Sequence, residues 1–146
     1  MEIKQTKQTF VVYVCGGSAD VGELTDRAAR QMSRDGIASM SCLAGIGARD
    51  GDMMFNAEYA TRVLLMDGCP KACSRRTFEN ANLHRFVHFD MSAVGLLKGK
   101  SPVTEENIRR VVNKATAMLA NDEKSHVNGC CRRFLTIQPP AGHPPE

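Results

Sequence analysis

The chain has 146 residues, 42% hydrophobic and 24% charged, the size and composition of a single globular domain, which excludes a fibrous or wholly disordered protein. Its 19 Lys and Arg stand against 16 Asp and Glu for a formal charge of +3, and the basic residues come in pairs (Arg75-Arg76, Arg109-Arg110, Arg132-Arg133) rather than one stripe, so charge gives nucleic-acid binding no support. The longest strongly apolar run, Phe10 to Cys15, is far shorter than the roughly 20 residues that span a bilayer, and no membrane partner is expected.

In chain order, the β-branched and aromatic run Thr9 to Cys15, ended by Gly16-Gly17, predicts a first strand buried on both faces, as in a parallel sheet covered by helices. Asp20 then stands as a helix cap with Glu23 three positions on, and Val21, Leu24, Ala28 and Met32 recur at helical spacing until Gly36. Ala38 to Ala44 predicts a second strand, Gly45 to Gly51 a loop and Asp52 to Ala60 a helix. Arg62 to Asp67 predicts a third strand, broken by Gly68. Pro70 fits the first turn of a helix capped by Cys69 and running to about Asn82. Arg85 to Phe89 predicts a fourth strand, and a last helix opens at Thr104 with Ile108, Val111, Val112, Ala115, Met118 and Leu119 as its apolar stripe.

Strands and helices alternating with short connections imply an α/β fold: a three-layer sandwich with a mostly parallel sheet of about four strands flanked by helices. Residues 1–120 form this domain. Beyond Asn121 the periodicity fades and four of the six prolines fall in 139–146, so residues 121–146 read as a loosely ordered C-terminal extension. The first residues, Met1-Glu2-Ile3-Lys4-Gln5, mix charges and do not resemble a secretory signal, which predicts a cytoplasmic location where the 6 cysteines stay reduced.

The cysteines carry the most information. Cys15, Cys42 and Cys69 are evenly spaced by one β-α repeat, and each falls at or near the carboxyl end of a predicted strand, the edge where open parallel sheets bind ligands. If the order is 2-1-3-4, these three meet at neighbouring strand ends. Cys73 follows Cys69 by four residues, one turn along the same predicted helix, whose N-terminus favours thiolates. Four thiolates suit zinc in a tetrahedron, and an iron-sulfur cluster would use the same ligands. N–H groups of Gly16, Gly17 and Gly68 could offset the charge of the sulfurs. The bland alternative is four small hydrophobes buried at strand ends.

Asp67-Gly68-Cys69-Pro70 with Cys73, Cys15-Gly16-Gly17-Ser18 before Val21-Gly22, and Cys42-Leu43-Ala44-Gly45-Ile46-Gly47 together resemble the DGC-domain family, to which zinc binding is ascribed, over about residues 9 to 120. The resemblance implies Cys15, Cys42, Cys69 and Cys73 as metal ligands and no defined biological activity. A different class of function, a thiol redox or sulfur-carrying enzyme cycling Cys69 and Cys73, stays open, although C-x3-C is not the thioredoxin-like spacing.

Other features are weaker. A phosphatase-type C-x5-R loop fails because Val21 stands where the arginine belongs. Gly45-Ile46-Gly47 lacks the full dinucleotide fingerprint, and Arg49 in that loop reads as solvated rather than anion-binding. Asp67 and Asp90 read as hydrogen-bonded turn carboxylates, and His88 as a satisfied sheet histidine, not a ligand paired with His84. His126, Cys130 and Cys131 form a tail cluster of open role. No specific partner follows from the residues, and a homo-oligomer is left open.

Overall fold

The computed structural model describes residues 9–121. The tail cluster of His126, Cys130 and Cys131, and the extension itself, lie outside the described residues. The elements in chain order are β1 (Phe10–Val14), α1 (Asp20–Arg34), β2 (Ser39–Met40), α2 (Leu43–Gly47), α3 (Gly51–Tyr59), β3 (Arg62–Asp67), α4 (Cys73–Asn80), β4 (Val87–Asp90), a 3₁₀ turn (Met91–Val94) and α5 (Glu105–Asn121).

The four strands make one all-parallel sheet in the order β2-β1-β3-β4, as the repeat of strands and helices predicts. Alternation along each strand divides the core in two. Val12, Val14, Leu64, Met66 and Phe89 pack with α1 and α5, through Leu24, Ala28, Met32, Val111, Ala115 and Leu119. Tyr13, Val63 and Leu65 face the other way, onto Ile46 of α2, Ala57 of α3 and Phe78 of α4. Leu24, Leu64 and Leu65 are fully buried, each contributing on the order of 2 kcal/mol by leaving water. This is the expected three-layer α/β sandwich, with every strand delivering its carboxyl end to the same edge. Among the described residues, no helix is long and apolar enough to cross a membrane.

Three local expectations differ from what forms. The second strand shrinks to Ser39–Met40: Ser41 still donates to the Val12 carbonyl at 3.0 Å, but the chain then winds into α2, which takes up the first part of the loop expected over Gly45 to Gly51 and drives Ile46 fully into the core. A short apolar run fits strand and helix equally well, and here burial decided. Asp20 does not build a capping box: Ala19 is the N-cap of α1, and the Asp20 carboxylate instead accepts the N–H groups of Gly99 and Ser101, each at 2.9 Å, tying the turn before α5 to the start of α1.

The third difference concerns the site. The helix expected from Pro70 starts at Cys73, because residues 69–71 form a turn closed by the Ala72 N–H on the Cys69 carbonyl at 3.1 Å, and Ala72 adopts a left-handed conformation with φ of 50°. Cys69 and Cys73 are therefore not one turn apart on a helical face. Two physical causes combine. Ala72 breaks the helical path, and the buried Asp67 carboxylate fixes where the helix begins by accepting the N–H groups of Ser74 and Arg75.

Candidate functional site

Three loops converge at the carboxyl edge of the sheet, and glycines let them touch. A side chain on Gly22, in the first turn of α1, would meet the Gly17 carbonyl oxygen at 2.5 Å, and one on Gly68 would meet the Gly22 nitrogen at 2.9 Å. The loop after β1, the start of α1 and the loop after β3 are thus packed backbone to backbone.

That contact orients the first cysteine. Cys15 extends the sheet by one residue, its N–H donating to Met66 O at 3.2 Å, and its sulfur accepts the Gly68 N–H at 3.2 Å. The Thr25 hydroxyl lies 3.8 Å from the same sulfur and donates its only proton to Gly22 O at 2.7 Å. Towards Cys15, Thr25 can therefore only accept, from the thiol S–H.

Cys42 is the exposed N-cap residue of α2, two residues past β2. Cys15 and Cys42 line one groove of about 580 Å³, with Gly16, Met40 and Ser41 in its wall and Arg30 at its side. Arg30 is held by Asp26 at 2.7 Å, and that carboxylate raises its pKa. Cys69 is half-buried against the α1/α5 side of the core, and Cys73 is exposed as the first residue of α4. All four are free thiols. The sheet order brings the segments that carry Cys42, Cys15 and Cys69 side by side along the edge. Their side chains are a separate matter: among the described residues, no three His, Cys, Asp or Glu are gathered closely enough to hold a metal ion.

Asp67, the acidic residue of the Asp-Gly-Cys motif, is the hub of the edge. It is 1% exposed. One oxygen accepts Ser74 N–H at 2.8 Å and Ser74 Oγ–H at 2.7 Å, while the other meets Arg75 N–H at 3.3 Å and His88 Nε2 at 2.9 Å. His88 is thereby a satisfied sheet histidine, as expected, and His84 is exposed elsewhere. Asp90 accepts Ser92 N–H at 2.8 Å and so starts the 3₁₀ turn. Arg49 is engaged rather than simply solvated: it reaches the Asn80 carbonyl at 2.7 Å and pins the loop before α3 to the end of α4.

Sequence reasoning missed Thr25 and Ser74. Thr25 read as an ordinary member of a helix, and Ser74 was overshadowed by Cys73. Only the position of Ser74, just past the motif, offered a signal.

No solved structure matches the chain at a significant level. Over 88 residues the chain is 31% identical to the anaerobic and virulence modulator AnvM of Pseudomonas aeruginosa, a stretch that covers 60% of this chain and 67% of that protein. The DGC domain matches residues 11–115, a span that includes Cys15, Cys42, Cys69 and Cys73, β2, β3 and β4, and β1 from its second residue. The chain belongs to the DGC-domain family.

Proposed function

We propose that this domain is a zinc-binding module of the cytosol that holds one ion at the carboxyl edge of its sheet through Cys15, Cys42, Cys69 and Cys73, in a structural or sensory role. The observation that carries the reading is the strand order β2-β1-β3, which sets three cysteine-bearing loops beside one another. Adjacent strands lie about 4.8 Å apart, so thiols leaning inward from the two outer loops need to close a gap of about 10 Å between strands to meet an ion at about 2.3 Å. Cys42 and Cys73, the exposed pair, are the ones that would turn in. The Gly68 N–H directed at Cys15 would offset negative charge on that sulfur. Cys73, at the start of α4, gains from the helix dipole. Zinc suits such a set because it accepts four thiolates with no geometric demand beyond the tetrahedron. A relative named a modulator accords with a sensory role.

A second reading is favoured by the exposure of Cys73 four residues after Cys69: the two forming a disulfide, two protons and two electrons passing to an oxidised acceptor disulfide. An iron-sulfur centre on the same cysteines would share the sequence signature.

Elemental analysis of the chain purified without added metal separates these. About one zinc per chain, lost in Cys69→Ser and kept in Cys130→Ser, is the expected result. Equal loss in both variants overturns the ligand set. Metal-free protein with complete and reversible Cys69 to Cys73 oxidation favours the redox reading, and brown protein with charge-transfer absorption favours iron and sulfide.

A further inference from the structure

α1 and α5 pack side by side on one face of the sheet, and a groove of about 810 Å³ runs between the end of α1 and the length of α5, from Glu105 to Ala120. Its floor is apolar: Ile108 and Val112 at the margin of the core, half-buried Ile37, and the exposed Ala117 and Ala120. Its charges are the carboxylates of Asp35 and Glu105 against the single guanidinium of Arg109. An apolar trough with a net negative rim fits a segment that carries large apolar side chains beside cations.

The chain supplies such a segment next to the groove. α5 ends at Asn121, one residue past Ala120, and the residues that follow include Arg132-Arg133-Phe134-Leu135-Thr136-Ile137. An arginine pair thus precedes three large apolar residues. Reach is sufficient: the groove is about 23 Å long along α5 at the helical rise, and the stretch from Asn121 to Arg132 extends up to roughly 36 Å. Tethering decides between this segment and a separate molecule, because a short linker holds it at the groove at an effective concentration of the order of mM, which a free partner or a second copy has to match. The acidic rim opposes an anionic membrane surface.

We propose that the groove between α1 and α5 is the docking site of the chain's own C-terminal segment, with Phe134, Leu135 and Ile137 on the apolar floor and Arg132 and Arg133 at Asp35 and Glu105. The inference does not depend on the metal reading.

The test is the initial rate of chymotrypsin cleavage after Phe134 and Leu135 in the full chain, read by mass spectrometry against a synthetic peptide of residues 122–146 as the undocked reference. Cleavage requires the open form, so the wild-type chain should be cut about 10-fold or more slowly than the peptide. Ala117→Arg, at an exposed position, places bulk and a like charge in the groove and should bring the two rates together. Asp35→Asn with Glu105→Gln should raise the rate by about 2- to 5-fold, since exposed ion pairs are worth little. This milder variant carries the test if the melting temperature shows that Ala117→Arg does not fold. Equal rates in the wild-type chain and the peptide overturn the proposal. So does protection that neither groove variant reduces, which puts the segment elsewhere. Protection that fades on dilution, with a dimer in sedimentation, makes the occupant a second copy and overturns docking within one chain.

Discussion

The Gly68 N–H and the Cys15 sulfur, 53 residues apart in the chain, face each other at 3.2 Å across the carboxyl edge of the sheet. The contact exists because β1 and β3 are adjacent and in parallel register, with Val14 opposite Met66, and because glycine at 68 lets the loop lie against the backbone of Val21 and Gly22. Neither residue could find the other through local sequence.

Gly68→Ala should be destabilising out of proportion to its size. The added methyl would fall 2.9 Å from the carbonyl carbon of Val21 and the nitrogen of Gly22, both backbone atoms of α1 that cannot swing aside. A cost of about 1–3 kcal/mol is expected, as for overpacking elsewhere. It should appear in urea unfolding as a lower midpoint with an unchanged slope.

Asp67→Ala should cost more, on the order of 3 kcal/mol, because it strands the Ser74 and Arg75 N–H groups at the start of α4 and leaves the Ser74 hydroxyl only the Met66 carbonyl at 3.4 Å. His88→Ala removes one of the four hydrogen bonds to Asp67 and leaves that oxygen the Arg75 N–H, so it should cost less. Hydrogen exchange gives the local readout: protection at Ser74 and Arg75 should fall in Asp67→Ala and persist in His88→Ala.

The carboxyl of Asp20 has its pKa held below the ordinary value of 3.8, first by the Gly99 N–H and then by that of Ser101. A depressed folded-state pKa means that its stabilisation is present above the unfolded value and is lost as pH falls through the folded one. Stability measured by urea unfolding from pH 6 down to pH 2 should therefore decline in the acid range. Asp20→Asn should be less stable at pH 6 and flatter towards pH 2, and a parallel decline in both proteins would show that Asp20 is not a source of the slope.

Ala72 sits in the left-handed region immediately before α4, with φ of 50°. Ala72→Gly should stabilise the folded chain by up to about 1 kcal/mol, since relief of backbone strain outweighs the added freedom of the unfolded chain. A higher thermal midpoint with unchanged circular dichroism checks it; a lower midpoint would mean that the strain is absent.

Periodicity and residue type were enough to locate β1, α1, β3 and α5, since long patterns with one buried face leave little choice of element. The parallel sheet followed from the alternation of elements, and the order β2-β1-β3-β4 is the one expected if Cys15, Cys42 and Cys69 are to meet at neighbouring strand ends. Sequence by itself therefore determined which loops share an edge. Tertiary structure alone decided how that edge is built. Residues 69–71 turn instead of starting a helix because a carboxylate buried at Asp67 captures the amides of Ser74 and Arg75. The Asp20 carboxylate, besides accepting the Val21 N–H of its own helix, reaches a turn about 80 residues away. Both outcomes depend on where a carboxylate finds its donors, and that competition is settled only when the layers pack.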